Sequence, residues 1–166
     1  MPGHERLYQL PLNLHPQEPS PPRENLGRFV RRVSESVKIA CPADLARYLQ
    51  EKVYTPFEHF DQEELHALLL NNKNLITHEA MVYRGTINTV QIRAAEVLKE
   101  AVRVNAPAFV LSHCHPSGDP SPSPEDVQVT RHVREAAMFL DIELLDHIIV
   151  GHNCWVSLKE RGLGFE

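Results

Sequence analysis

Cysteine is scarce in this chain: three residues among 166, Cys41, Cys114 and Cys154. They are scattered, odd in number, and never form C-x-x-C. This excludes a disulfide framework and a cysteine zinc ribbon, and makes a reducing cytoplasm the expected compartment. Positive charge is also short, with 17 Lys and Arg against 22 Asp and Glu, a net charge of −5. The basic footprint of a nucleic-acid-binding domain is missing, so direct DNA binding has no support from charge. No apolar run is long enough to span a membrane, and no secretory apolar segment opens the N-terminus. There are no internal repeats. The length suits one domain able to bury most of its apolar surface.

What is present divides in two. Residues 1–27 form a proline-rich segment with weak patterning and six prolines by Pro22, which reads as an extended arm. Residues 28–166 read as one domain. Arg28 to Lys38 is ambiguous between strand and helix, and its Arg28, Arg31 and Arg32 read as a solvated basic face. Pro42-Ala43-Asp44 opens a helix with Leu45, Tyr48, Leu49 and Val53 on one stripe. Leu65–Leu70 and Leu75–Tyr83 read as a hairpin about the Asn71–Asn74 turn. A helix follows from about Ala94 to Val104, then a strand from Pro107 to His113 and a helix from Ser123 to Leu140. Ile142–Val150 and Cys154–Leu158 are the last strands. This order predicts an α/β or α+β domain with helices packed on a mixed sheet.

The chemistry concentrates in His113-Cys114-His115-Pro116-Ser117-Gly118-Asp119-Pro120-Ser121-Pro122-Ser123-Pro124-Glu125-Asp126, or H-x-H-x7-S-x2-D. Residues two apart on a strand share a face, so His113 and His115 point one way and Cys114 the other. The prolines impose an irregular loop. Ser123-Pro124 then opens a helix and puts Asp126 in its first turn, where the helix dipole favours a carboxylate. Two imidazoles and one carboxylate supply the three protein ligands of a catalytic zinc site. Ser123-x-x-Asp126 also fits a capping box, which needs no metal. Zinc deaminase chemistry is excluded, because H-x-E and P-C-x-x-C do not occur. The chain is too short for the barrel that carries amidohydrolase-type H-x-H sites.

The segment resembles the JAMM signature of the JAB/MPN superfamily, and most closely its RadC-like branch. Matching stretches are Arg84-Gly85-Thr86-Ile87-Asn88, Glu96-Val97-Leu98-Lys99-Glu100-Ala101, His113 to Pro120, and Asp146-His147-Ile148-Ile149-Val150-Gly151. The likeness runs from about Pro42 to Gly164. Two departures stand out: Cys114 lies where the branch usually has Asn, and Ala94-Ala95-Glu96 where it tends to have Pro-Arg-Glu. The helix-hairpin-helix segment of longer RadC proteins is not found. The resemblance implies a three-layer α-β-α sandwich around the sheet.

A hydrolytic site also needs a general base. Glu96 shares a helix face with Lys99, Glu100 and Arg103, a solvent-facing stripe. Nothing in the sequence singles out Glu79. The resemblance implies a glutamate entering the first strand after the first helix. Counting back from Leu70-Asn71-Asn72-Lys73-Asn74, similar to the RadC-like L-D-x-K-N turn, selects Glu63. Glu64 would face the opposite way. The implied assignment is Zn²⁺ on His113, His115 and Asp126, Glu63 as base, and Ser123 as oxyanion donor or helix cap, the two roles being compatible. His147 reads either as a brace for a ligand or as a satisfied core histidine. His66, His78, His132 and His152 show no partner pattern, and Trp155 reads as core. The implied activity is that of a zinc metallopeptidase acting on a peptide or isopeptide-linked protein. The alternatives are a DNA repair, recombination or mobile-element accessory protein and a non-catalytic zinc scaffold.

Overall fold

The computed structural model describes residues 29–33, 37–87 and 91–166. The proline-rich arm expected over 1–27 lies outside them. The elements run in the order β1 (Phe29–Arg32), α1 (Pro42–Tyr48), β2 (Glu64–Leu70), β3 (Ile76–Arg84), α2 (Ala94–Arg103), β4 (Ala108–Cys114), α3 (Pro124–Met138), β5 (Glu143–Gly151) and β6 (Cys154–Ser157). A π-helical turn (Leu49–Val53) prolongs α1, and a short 3-10 turn (Phe57–His59) follows it. The ambiguous basic segment contributes a strand, because Phe29–Arg32 pairs with β3.

The six strands form one mixed sheet, ordered β1-β3-β2-β4-β5-β6. Among the described residues only β4 and β5 are parallel; every other pair is antiparallel. A parallel pair needs a crossover, and α3 supplies it. Strand β4 is buried along its whole length, as a central strand covered on both faces must be. Its alternation divides the core. Phe109 and Leu111 pack with Leu65, Ala67, Val97, Leu98, Val129 and Val133, beneath α2 and α3. Val110 and Cys114 pack with Leu45, Leu49, Leu68 and Ile148, beneath α1. Two helices on one face and one on the other make the expected α-β-α sandwich.

The turns are set by residue type. Asn74 and Asn153 take the left-handed conformation at the β2–β3 and β5–β6 connections, which asparagine tolerates better than most residues. On α2, Lys99 pairs with Glu96 and Arg103 with Glu100 at the surface, the charged stripe read from the sequence. Among the described residues, no helix is long and apolar enough to cross a membrane.

Candidate metal centre

Strand alternation delivers the first two side chains. His113 lies on the α2/α3 side of β4, and His115 follows just beyond the strand, its N–H still bonded to the Val150 carbonyl (2.9 Å). Their Nε2 atoms are 3.0 Å apart. Cys114 faces the α1 core, with its Sγ 3.8 Å from the Gln62 carbonyl. The parallel β4–α3–β5 connection returns the start of α3 to the same end of the sheet. Asp126 thereby places Oδ1 3.1 Å from His113 Nε2 and Oδ2 3.5 Å from His115 Nε2.

Capping and convergence coexist. Ser123 Oγ accepts from the Asp126 N–H (3.1 Å), and Asp126 Oδ2 accepts from the Ser123 N–H (2.7 Å). The cap contributes about 1 kcal/mol to the helix. It also fixes the Asp126 rotamer, so the bond that starts α3 aims the carboxylate. Burial opposes ionisation of Asp126. The adjoining His113 and His115 rings and the Ser123 N–H outweigh burial and hold it well below the usual carboxylate range.

His115 Nδ1 lies 2.9 Å from the Asp119 carbonyl. A carbonyl only accepts, so the ring keeps a proton at Nδ1 and, when neutral, turns an Nε2 lone pair inward. Burial alone would lower its pKa, but Asp126 and the Asp119 carbonyl raise it. Two imidazole nitrogens and two carboxylate oxygens meet at one point, a donor set that suits a cation. A tetrahedral zinc with bonds of about 2.0–2.1 Å spaces its ligand atoms roughly 3.3 Å apart. The 3.0, 3.1 and 3.5 Å separations bracket that spacing. The His113–His115–Asp126 group can hold a metal ion.

Glu63 and Glu64 separate as adjacent residues at a strand start should. Glu63 Oε2 accepts from the Ile87 N–H (2.8 Å), and the Glu63 carbonyl from the Gly85 N–H (2.9 Å). Its Oε1 is left 3.8 Å from His115 Nε2. The Arg84–Ile87 stretch thus brackets Glu63. Side-chain exposure rises from 0% at His113 and 2% at Asp126 to 13% at His115 and 27% at Glu63. The group is closed on the core side and open on the Glu63 side.

Glu64 points to the α1 face and meets His66, whose Nε2 is 3.1 Å from its Oε2. His66 Nδ1 is 3.1 Å from Glu79 Oε1, and Arg31 pairs with Glu79 at 2.5 Å. His66 and Glu79 had no partner visible in the sequence; cross-strand register supplies one. His152 stacks edge-on to Phe57, and Trp155 packs partly buried on the α1-side core.

Behind His113 lies a second buried histidine. His113 Nδ1 is 2.8 Å from His147 Nε2, and His147 Nδ1 is 2.6 Å from Thr130 Oγ1. Thr130 Oγ1 donates to the Asp126 carbonyl (2.7 Å). Burial first, and the neighbouring His113 second, push His147 well below its ordinary pKa, so it is neutral. Asp146 Oδ1 accepts from the His147 N–H (2.7 Å). His147 is a buried histidine with both ring nitrogens partnered, and one of its partners is a candidate ligand. Thr130 escaped the sequence reading altogether. Its signal was the i+4 spacing from Asp126, which stacks both on one helix face.

A family model described as the RadC-like JAB domain matches residues 39–163. A UPF0758 protein of Chloroflexus aurantiacus is 45% identical over 143 residues, covering 85% of this chain and 61% of its own length. UPF0758 proteins of Shouchella clausii and Clostridium beijerinckii are 43% and 39% identical, each over 82% of this chain. The chain spans about six-tenths of the length of these curated relatives, 61%, 59% and 58%. With the match reaching from Ile39 through the whole His–His–Asp constellation, the chain belongs to the RadC-like JAB domain family.

Proposed function

We propose that the chain is a zinc-dependent hydrolase of amide bonds, acting on a peptide or isopeptide-linked protein. The observation that carries this reading is the convergence of His113, His115 and Asp126 beside a partly exposed glutamate. A site serving structure alone has no use for that glutamate. His113, His115 and Asp126 would hold the zinc, which would supply Lewis acidity to acidify water and polarise an amide carbonyl.

The remaining steps belong to the chain. Glu63 is anchored at Oε2 by the Ile87 N–H, which leaves Oε1 on the His115 side. It takes a proton from the attacking water and later delivers it to the leaving amine as the C–N bond breaks. Ser123 Oγ already accepts from Asp126, which leaves its O–H as a donor. That O–H stabilises the substrate carbonyl oxygen as negative charge grows there, an interaction strongest in the transition state. Asp119, through its carbonyl, keeps the His115 ring turned toward the site.

The test pairs elemental analysis with a screen of peptide and isopeptide substrates, using Glu63→Gln as control. Near-stoichiometric zinc is expected in both proteins, with hydrolysis about 10²–10⁴-fold slower in the variant. A zinc-loaded chain that cleaves nothing would move the reading to a non-catalytic scaffold. Salt-dependent retention of DNA would instead favour an accessory role in nucleic-acid transactions.

A further inference from the structure

We infer that Thr130 and His147 are positioning residues that set which nitrogen of His113 is free to bind metal. The inference rests on the reading of His113, His115 and Asp126 as metal ligands. Thr130, His147 and His113 are all fully buried, so their hydrogen bonds cannot be exchanged for bonds to bulk water. Gly164 closes one side: a Cβ built there would lie 2.9 Å from Thr130 Cβ.

The proton order follows from one fixed end. The Asp126 carbonyl can only accept, so the Thr130 hydroxyl spends its single hydrogen on it (2.7 Å). His147 Nδ1, 2.6 Å from Thr130 Oγ1, must then be the donor. A neutral imidazole has one N–H, so His147 Nε2 accepts, and His113 Nδ1 donates to it across 2.8 Å. His113 Nε2 is left as a lone pair facing His115 and Asp126. The path begins on the backbone of one ligand and ends on the ring of another. It ties α3, β5 and β4 together at a point none of them fixes alone.

The reversed order requires the Thr130 hydroxyl to give up its bond to the Asp126 carbonyl. The Thr130 hydroxyl then donates to His147 Nδ1, and His147 Nε2–H donates to His113 Nδ1. The proton moves to His113 Nε2, where Asp126 Oδ1 accepts it at 3.1 Å. That closes the nitrogen to a metal. The direction in which the Thr130 hydroxyl points thus separates a metal-ready ring from a blocked one. Thr130→Val keeps the shape but leaves His147 Nδ1–H without an acceptor, which drives His147 to its Nε2–H form. Thr130→Ser keeps the hydroxyl.

Two readouts test this on the full chain. Two-bond 15N–1H spectra of the zinc-loaded protein report which imidazole nitrogens carry protons. Competition with a chromogenic chelator gives zinc affinity for the unsubstituted chain, Thr130→Val and Thr130→Ser, each checked for a native unfolding transition. Both His113 and His147 are expected to be protonated at Nδ1. Thr130→Val is expected to bind zinc about 10–100-fold more weakly, the range for partners of metal-bound histidines, and Thr130→Ser to stay close to the unsubstituted chain. His147 protonated at Nε2 in the zinc-loaded protein overturns the inference even if Thr130→Val fails to fold. So does a folded Thr130→Val with undiminished affinity. Failure of the unsubstituted chain to take up zinc overturns the ligand reading, and this inference with it.

Discussion

Gly151→Ala should weaken metal binding without touching a ligand. Gly151 ends β5 where the Pro116–Pro122 loop crosses the β5–β6 turn. A Cβ there would lie 2.2 Å from the Gly118 carbonyl oxygen and 2.9 Å from Cys154 Sγ. Ordinary contact begins near 3.4 Å, so the loop must retreat by about 1 Å, since packed interiors leave no void to absorb the overlap. The Gly118 carbonyl would lose good geometry with the His152 N–H, now 3.0 Å, and with Cys154 Sγ, now 3.3 Å. Asp119 is the next residue, and its carbonyl orients His115 at 2.9 Å. A shift of 1 Å takes that bond out of range and frees the ring. Overpacking of this kind destabilises a fold by about 1–3 kcal/mol. The loss of the bond that orients a metal-bound histidine lowers affinity roughly 10–100-fold. Chelator competition measures the second quantity and urea unfolding the first. Affinity unchanged in a protein destabilised as expected would refute the coupling of loop to ligand.

Other outcomes follow from the same geometry. Ser123→Gly should change unfolding free energy by only a few tenths of a kcal/mol, because glycine caps nearly as well as serine. If Ser123 donates to the oxyanion as proposed, turnover of an amide substrate should fall about 10²–10³-fold; equal turnover would confine Ser123 to its cap. Removing metal should lower stability, since an ion held by His113, His115 and Asp126 would favour the folded chain; at free zinc 100-fold above Kd the difference would be about 2.7 kcal/mol. Identical unfolding curves with and without a chelator would contradict it. Burial opposes charge on His66, but the hydrogen bonds to Glu64 and Glu79 outweigh it and raise its folded pKa. Its stabilisation is therefore complete below the unfolded value of about 6.5 and is lost as pH rises through the folded value. Urea unfolding of the unsubstituted chain and His66→Gln at rising pH should show their difference shrinking, and a constant difference would discard the charged pairing.

The local parts of the site were legible because each depends on short-range periodicity. The two-residue spacing of His113 and His115 sets a common face on any extended strand, and Cys114 must then face away. Ser123-Pro124 starts a helix whatever surrounds it, which put Asp126 in the first turn. The Leu45–Tyr48–Leu49 stripe and the Glu96–Lys99 and Glu100–Arg103 pairs follow the helical repeat, so α1 and α2 were readable too. The separation of Glu63 from Glu64 is another consequence of alternation.

Contacts across elements were not legible, because they depend on register and packing between segments distant in sequence. The ring of His66 meets Glu79 only because β2 and β3 pair as they do, and a one-residue slip would turn that histidine to the other face. Thr130 and His147 lie on α3 and β5. Only the packing of that helix on that strand brings Thr130 Oγ1 within 2.6 Å of His147 Nδ1. The sequence alone determined which groups face which way along each strand and helix, since 2.0 and 3.6 residue periods are properties of the local backbone. The tertiary structure decided which of those faces meet, because burial makes hydrogen-bond partnership compulsory and register chooses the partner.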